Sequence, residues 1–125
     1  MIAGIGLDIV SVPDFAEQVN RPGTVFVHQT FTAAEIALCG GDARRLAARW
    51  AAKEAVLKAW SASRFGAAPE APEGLYLDIE VVKDAWGRPA IALHGIVARC
   101  LDGVLIHVSL THDGPTAAAM VVLER

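Results

Sequence analysis

The chain opens on an apolar run, Met1 to Val10, interrupted by Gly4, Gly6 and Asp8. Its alternation predicts a strand over 2–10, with Gly4, Gly6, Asp8 and Val10 on one face and Ile5, Leu7 and Ile9 on the other. A short helix is expected from Pro13 to Val19, followed by a loop through Pro22 and Gly23. Thr32 with Glu35 three residues later has capping-box spacing and opens a further short helix. Ala43 to Ser63 reads as one long helix, and Gly66 to Gly74, with two prolines, as loop. Leu77, Ile79 and Val81 then alternate with Asp78 and Glu80, predicting a strand over Tyr76 to Lys83. A turn at Asp84 to Pro89 leads into a strand at 90–93, a helix at 95–101 and a strand at 104–111. Asp113-Gly114-Pro115 turns the chain into a last strand at 116–123. Two hairpins without regular β-helix-β alternation indicate an α+β fold with antiparallel pairing.

Length and composition narrow this further. At 125 residues the chain is expected to form one domain over 1–125, since neither half is long enough to stand alone. With 54% hydrophobic and 20% charged residues it belongs to the globular class rather than to disorder. No apolar run approaches the roughly 20 residues that span a bilayer. No basic leader precedes the first strand, so no signal peptide is expected. Cys39 and Cys100 show no metal or redox spacing, which favours a cytoplasmic protein with free thiols. Charge is unevenly spread: Arg44, Arg45, Arg49, Lys53, Lys58 and Arg64 stand in one segment with a single acid, Glu54. That basic ridge suggests an anionic ligand or partner, although a solvated helix face would look the same.

Two carboxylates stand where a folded chain seldom places charge. Asp8 lies in the apolar first strand and Glu54 in the alanine-rich helix, and an unpaired buried carboxylate is costly. Converging from strand and helix, they would seat a hard divalent cation. Taken singly, Asp8 also reads as a cap at a strand end, and Glu54 with Lys58 as an ordinary i,i+4 pair. The glycines beside Asp8 leave a track for close backbone approach. They make no dinucleotide fingerprint, because Ile9 stands where the third glycine belongs. On the helix, Leu46, Ala47, Trp50 and Leu57 share an apolar arc into which Glu54 and Lys58 fall, while Arg45 and Arg49 point the other way. His107, Ser109 and Thr111 share a strand face with His112 at its end, donors suited to phosphate or to ordinary strand bonding. No third ligand makes the histidines a zinc site, and no Gly-x-Ser-x-Gly marks a serine hydrolase.

Taken together, Gly4-Ile-Gly-Leu-Asp-Ile9, Phe31-Thr-x-x-Glu35, Arg49-Trp-Ala-Ala-Lys-Glu-Ala55 with Lys58, Gly87-Arg-Pro89 and His107-Val-Ser-Leu-Thr-His112 resemble the holo-acyl-carrier-protein synthase family of 4'-phosphopantetheinyl transferases. The resemblance spans essentially the whole chain. It implies an antiparallel sheet packed on a long helix, in a homotrimer with sites between subunits. It implies transfer of the 4'-phosphopantetheine arm of coenzyme A to a serine of apo acyl carrier protein in fatty acid biosynthesis, leaving adenosine 3',5'-bisphosphate. Asp8 and Glu54 would hold magnesium, with manganese as the alternative ion. Glu54, or a water it orients, would take the serine proton, and Lys58 would stabilise or protonate the departing phosphate. Arg49, Lys58, Gly87, Arg88, Pro89, Ser109, Thr111 and His112 would line the coenzyme pocket. No nucleic-acid or membrane partner is implied.

The chain departs from the family pattern at two places. Relatives carry a basic residue near position 14 that docks the acidic carrier helix, whereas this chain has Asp14, leaving Arg21 as the candidate docking cation. Lys58-Ala-Trp-Ser-Ala-Ser-Arg-Phe-Gly66 replaces the glycine-rich turn that follows the catalytic lysine in many relatives. Two other functions would use the same residues. A nucleotide hydrolase would need the carboxylate pair and water, and a non-catalytic coenzyme or carrier binder would not need Lys58.

Overall fold

Alanine determines how closely the elements pack. In the computed structural model, which describes residues 1–125, the alanine-rich segment forms helix α4, Ala43–Ser63. Asp42 caps it, its side chain accepting from the Arg44 N–H. Ala47, Ala51, Ala52, Ala55 and Ala59 are fully buried. Strand β1, Ile2–Ser11, lies against this helix through its glycine face. A Cβ on Gly4 would overlap the Ala59 carbonyl, and one on Gly6 that of Ala55. The track expected over these glycines is therefore filled by the protein's own helix.

Strand β1 pairs antiparallel with β5, Thr116–Glu124, which pairs antiparallel with β4, Leu105–Asp113. Ala117, Ala119, Val121 and Leu123 of β5 are buried in the core with α4. The alternate positions Ile5, Leu7, Ile9, Leu105 and Met120 are exposed. A second sheet pairs β2, Ile79–Lys83, with β3, Pro89–Leu93. The predicted α+β architecture with antiparallel hairpins is what forms.

The remaining helices follow from caps and packing. Helix α1, Val12–Val19, starts directly from β1 with Ser11 as N-cap. Helix α2, Phe26–Thr30, lies in the stretch read as loop and has no side-chain cap. Tertiary packing holds it: Phe26 sits edge-on to Phe15 at 5.9 Å and to Trp50 at 5.2 Å. Helix α3, Ala33–Cys39, has the full Thr32–Glu35 capping box and ends at Gly40 in the left-handed region. Helix α5, Gly95–Cys100, precedes β4.

Two expectations need correction. Tyr76–Asp78 form a 3₁₀ turn, so the strand begins only at Ile79, and Leu77 is exposed. The carbonyls of Tyr76 and Ile79 both accept from the Lys53 ammonium, whereas residues three apart in a strand are about 10 Å apart. The basic ridge also dissolves. Lys53 is buried against Glu35, Lys58 meets Asp8, Arg64 meets Glu70, and Arg44 and Arg45 flank Asp42. Arg49, expected opposite the apolar arc, is only 2% exposed, because α4 is wrapped on nearly every side.

Candidate active site

Asp8 is held mid-strand, opposite Ala119 in the β1–β5 ladder, and caps nothing. Its Oδ1 accepts from Lys58 Nζ at 2.9 Å, and the same ammonium donates to the Leu7 carbonyl at 3.1 Å. Glu54 makes no ion pair with Lys58; its Oε1 accepts from the Tyr76 hydroxyl at 3.1 Å. The ordinary i,i+4 pairing is thus replaced by two contacts to other elements. Asp8 and Glu54 line one cleft of about 280 Å³, together with Ser11, Asp14 and Trp50. Burial, and then the charge of Asp8, push the Glu54 carboxyl upward, while the Tyr76 hydrogen bond and Lys58 oppose the rise. Burial and the Glu54 charge raise the Tyr76 phenol to about 12, so it stays a hydrogen-bond donor. Lys58 is raised by its bond to Asp8.

The donor set indicates which cation would suit the cleft. No cluster of three or more His, Cys, Asp or Glu side chains exists, which argues against an all-protein zinc or calcium cage. Two carboxylates that repel each other, each with one oxygen free of protein partners, match the count magnesium takes when phosphate and water complete its shell. The residues fit the ion.

A second cleft, of about 330 Å³, lies on another side of α4 and is lined by Arg45, Arg49, Lys83, Pro89, Thr111 and His112, with Gly87 at the hairpin turn. Arg49 donates from Nη1 to the Arg45 carbonyl at 3.1 Å, but its buried Nε and Nη2 have no partner in the protein. Buried guanidinium donors are rarely left unpaired, and an anion in this cleft is what would satisfy them.

The predicted site residues therefore divide between two places. Asp8, Glu54 and Lys58 gather in the first, and Arg49, Gly87, Pro89, Thr111 and His112 in the second. Ser109 lies on the exposed side of β4 outside both, and Arg88 binds Asp84 at 2.6 Å and stacks on Trp86. Arg21 is exposed beyond α1, its side chain without a hydrogen bond or ion pair. Sequence reasoning missed Lys83 in the second cleft, Tyr76 on the Glu54 carboxylate, and the buried Lys53 that bonds the Tyr76 carbonyl. For Lys53 the available signal was its apolar neighbours one turn away, Trp50, Val56 and Leu57.

Comparison with known proteins settles the family. Residues 4–119 match the 4'-phosphopantetheinyl transferase superfamily. The chain belongs to that superfamily. Within it, the chain is of the holo-acyl-carrier-protein synthase type. The holo-[acyl-carrier-protein] synthase of Mycolicibacterium smegmatis is 58% identical over 127 residues, covering 98% of this chain and 97% of the relative. The acyl carrier protein synthase structure of Mycobacterium tuberculosis superposes with a TM-score of 0.86 at 54% identity, covering 99% of this chain and 98% of that one. The Chronobacterium ammoniagenes ACPS–CoA complex gives a TM-score of 0.89 at 38% identity, over 96% of this chain and 95% of that chain.

Proposed function

We propose that this chain transfers 4'-phosphopantetheine from coenzyme A to a serine of apo acyl carrier protein, releasing adenosine 3',5'-bisphosphate. The observation that carries the reading is the Asp8–Lys58 contact beside Glu54 in a chain of this family: two carboxylates on one open cleft, with a lysine ammonium bonded to one of them. The serine oxygen bonds to the phosphorus on the pantetheine side of the pyrophosphate. The bond from that phosphorus to the bridging oxygen breaks, and the electron pair leaves with the nucleotide 5'-phosphate. Glu54, directly or through a water, accepts the serine proton. Lys58, exposed and held charged by Asp8, neutralises or protonates the leaving phosphate. Asp8 and Glu54 would hold magnesium, or manganese in its place. The ion would supply charge neutralisation on the pyrophosphate oxygens.

The Arg49 cleft would take the nucleotide phosphates through Arg45, Arg49, Thr111 and His112. Because the clefts lie on different sides of α4, we assign the complete site to a subunit boundary in a homotrimer. The exposed Ile5, Leu7, Ile9, Leu105 and Met120 would supply the apolar contact between copies. Ser109, on the exposed side of β4, and Arg88, at the β2–β3 hairpin, would reach the coenzyme from the rim. Asp14, exposed on the first cleft, would disfavour an acidic carrier helix there, and the unpaired Arg21 is the docking cation we assign. The activity would serve fatty acid biosynthesis in the cytoplasm, where free Cys39 and Cys100 are at home.

Chromatography of the nucleotide products tests the reaction class. Adenosine 3',5'-bisphosphate should appear only when apo carrier protein is present with coenzyme A and magnesium. Nucleotide released without the carrier would mean a hydrolase, and coenzyme binding without any product would mean a binding module.

A further inference from the structure

Lys53 and Glu54 are neighbours on α4, about 100° apart, and one faces the core while the other faces the cleft. The Lys53 ammonium is fully buried and makes three bonds: Glu35 Oε1 at 2.8 Å, the Tyr76 carbonyl at 2.9 Å and the Ile79 carbonyl at 2.5 Å. Glu35 in turn accepts from the Thr32 and Val81 N–H groups, both at 2.9 Å. Five hydrogen bonds linking α3 and its Thr32 cap, α4, the 3₁₀ turn and β2 thereby fix the backbone of Tyr76. Its ring lies against Trp50 at 4.7 Å between centroids, and its hydroxyl reaches Glu54. No protein group other than this hydroxyl bonds the Glu54 carboxylate.

We propose that Tyr76, anchored by the buried Lys53–Glu35 pair, is a positioning residue that fixes one Glu54 oxygen and presents the other to the cation. The proposal rests on the transferase reading for what Glu54 binds. A glutamate on a helix has three rotatable side-chain bonds, and a single fixed donor selects among its rotamers. Donors of this kind beside a metal-binding carboxylate are generally worth about 10-fold or more in metal affinity or activity. The consecutive Lys53-Glu54 pair thus joins the core to the cleft through one tyrosine.

The test is calorimetric titration of the full chain with Mn²⁺, alongside transfer kinetics. Tyr76→Phe removes one hydroxyl and keeps the ring on Trp50, so the fold is retained. It is expected to weaken Mn²⁺ about 10-fold and lower kcat by a similar factor, with the KM for coenzyme A within about 2-fold. Glu54→Gln should abolish the Mn²⁺ signal, which shows that the titration reads this site. Lys53→Met should weaken Mn²⁺ in the wild-type background but cost less than about 2-fold further in Tyr76→Phe, since both act through one contact. Mn²⁺ affinity unchanged in Tyr76→Phe would overturn the proposal, as would a fall in kcat without any change in Mn²⁺ affinity. A wild-type chain that binds Mn²⁺ through Glu54 but modifies no carrier would overturn the transferase reading, while a weakened Tyr76→Phe would still uphold the positioning.

Discussion

Lys53 meets Glu35 at 2.8 Å with both side chains fully buried, and five residues later Lys58 meets Asp8 at 2.9 Å with 54% and 14% of the side chains exposed. The two distances are alike and the surroundings are not. Burial pulls Lys53 downward and the Glu35 contact opposes it, whereas the bond to Asp8 raises Lys58. The buried pair is closed, since further bonds to backbone groups occupy both partners. Lys58 spends one further bond on a carbonyl, and Asp8 and Glu54 each retain an oxygen with no protein partner. A closed pair stabilises a fold, and an open one is available to a ligand.

Removing each lysine should separate these roles most strongly. Lys53→Ala strands Glu35 in the core and should lose about 3–5 kcal/mol in urea unfolding, against less than about 1 kcal/mol for Lys58→Ala. Equal losses would erase the distinction. In transfer kinetics the order should invert, with folded Lys58→Ala losing about 10²–10³-fold in kcat/KM. Arg49 sharpens the contrast, being buried like Lys53 but unpaired on two nitrogens. Arg49→Met should therefore raise the KM for coenzyme A about 10–100-fold without destabilising the fold, read by kinetics and thermal unfolding together.

The smallest effect concerns Glu54, whose folded value lies above its ordinary 4.5. Between those two values the folded state binds more protons than the unfolded one. The stability it contributes is present below about pH 4.5 and is lost as pH rises through the raised folded value. At neutral pH the charged side chain is a burden on the fold. Glu54→Gln should raise the unfolding free energy by about 0.5–2 kcal/mol near pH 7, with the gain shrinking in acid. A gain that grew below pH 5 would contradict the sign.

Local chemistry was legible in the sequence, and long-range chemistry was not. The Thr32–Glu35 box and the bounds Ala43–Ser63 follow from caps and composition within a few residues. Asp8, Glu54 and Lys58 stood out because each breaks an apolar pattern. The helical arc assumed one buried side, but α4 packs against β1 and β5 and also against α1, α3, β2 and β4, so Arg49 is buried outside that arc and Lys53 at its edge. Tyr76 was taken into a strand because Leu77, Ile79 and Val81 alternate, while its backbone answers to Lys53, 23 residues away. Helix α2 leans on aromatic packing at long range, with Thr24 accepting from the Phe26 N–H as its one local side-chain support.

The most direct measurement is the intact mass of an apo acyl carrier protein after incubation with this chain, coenzyme A and magnesium. The account predicts a gain of one phosphopantetheinyl group, lost with EDTA and with Glu54→Gln. An unmodified carrier, or full modification by Glu54→Gln, would contradict it.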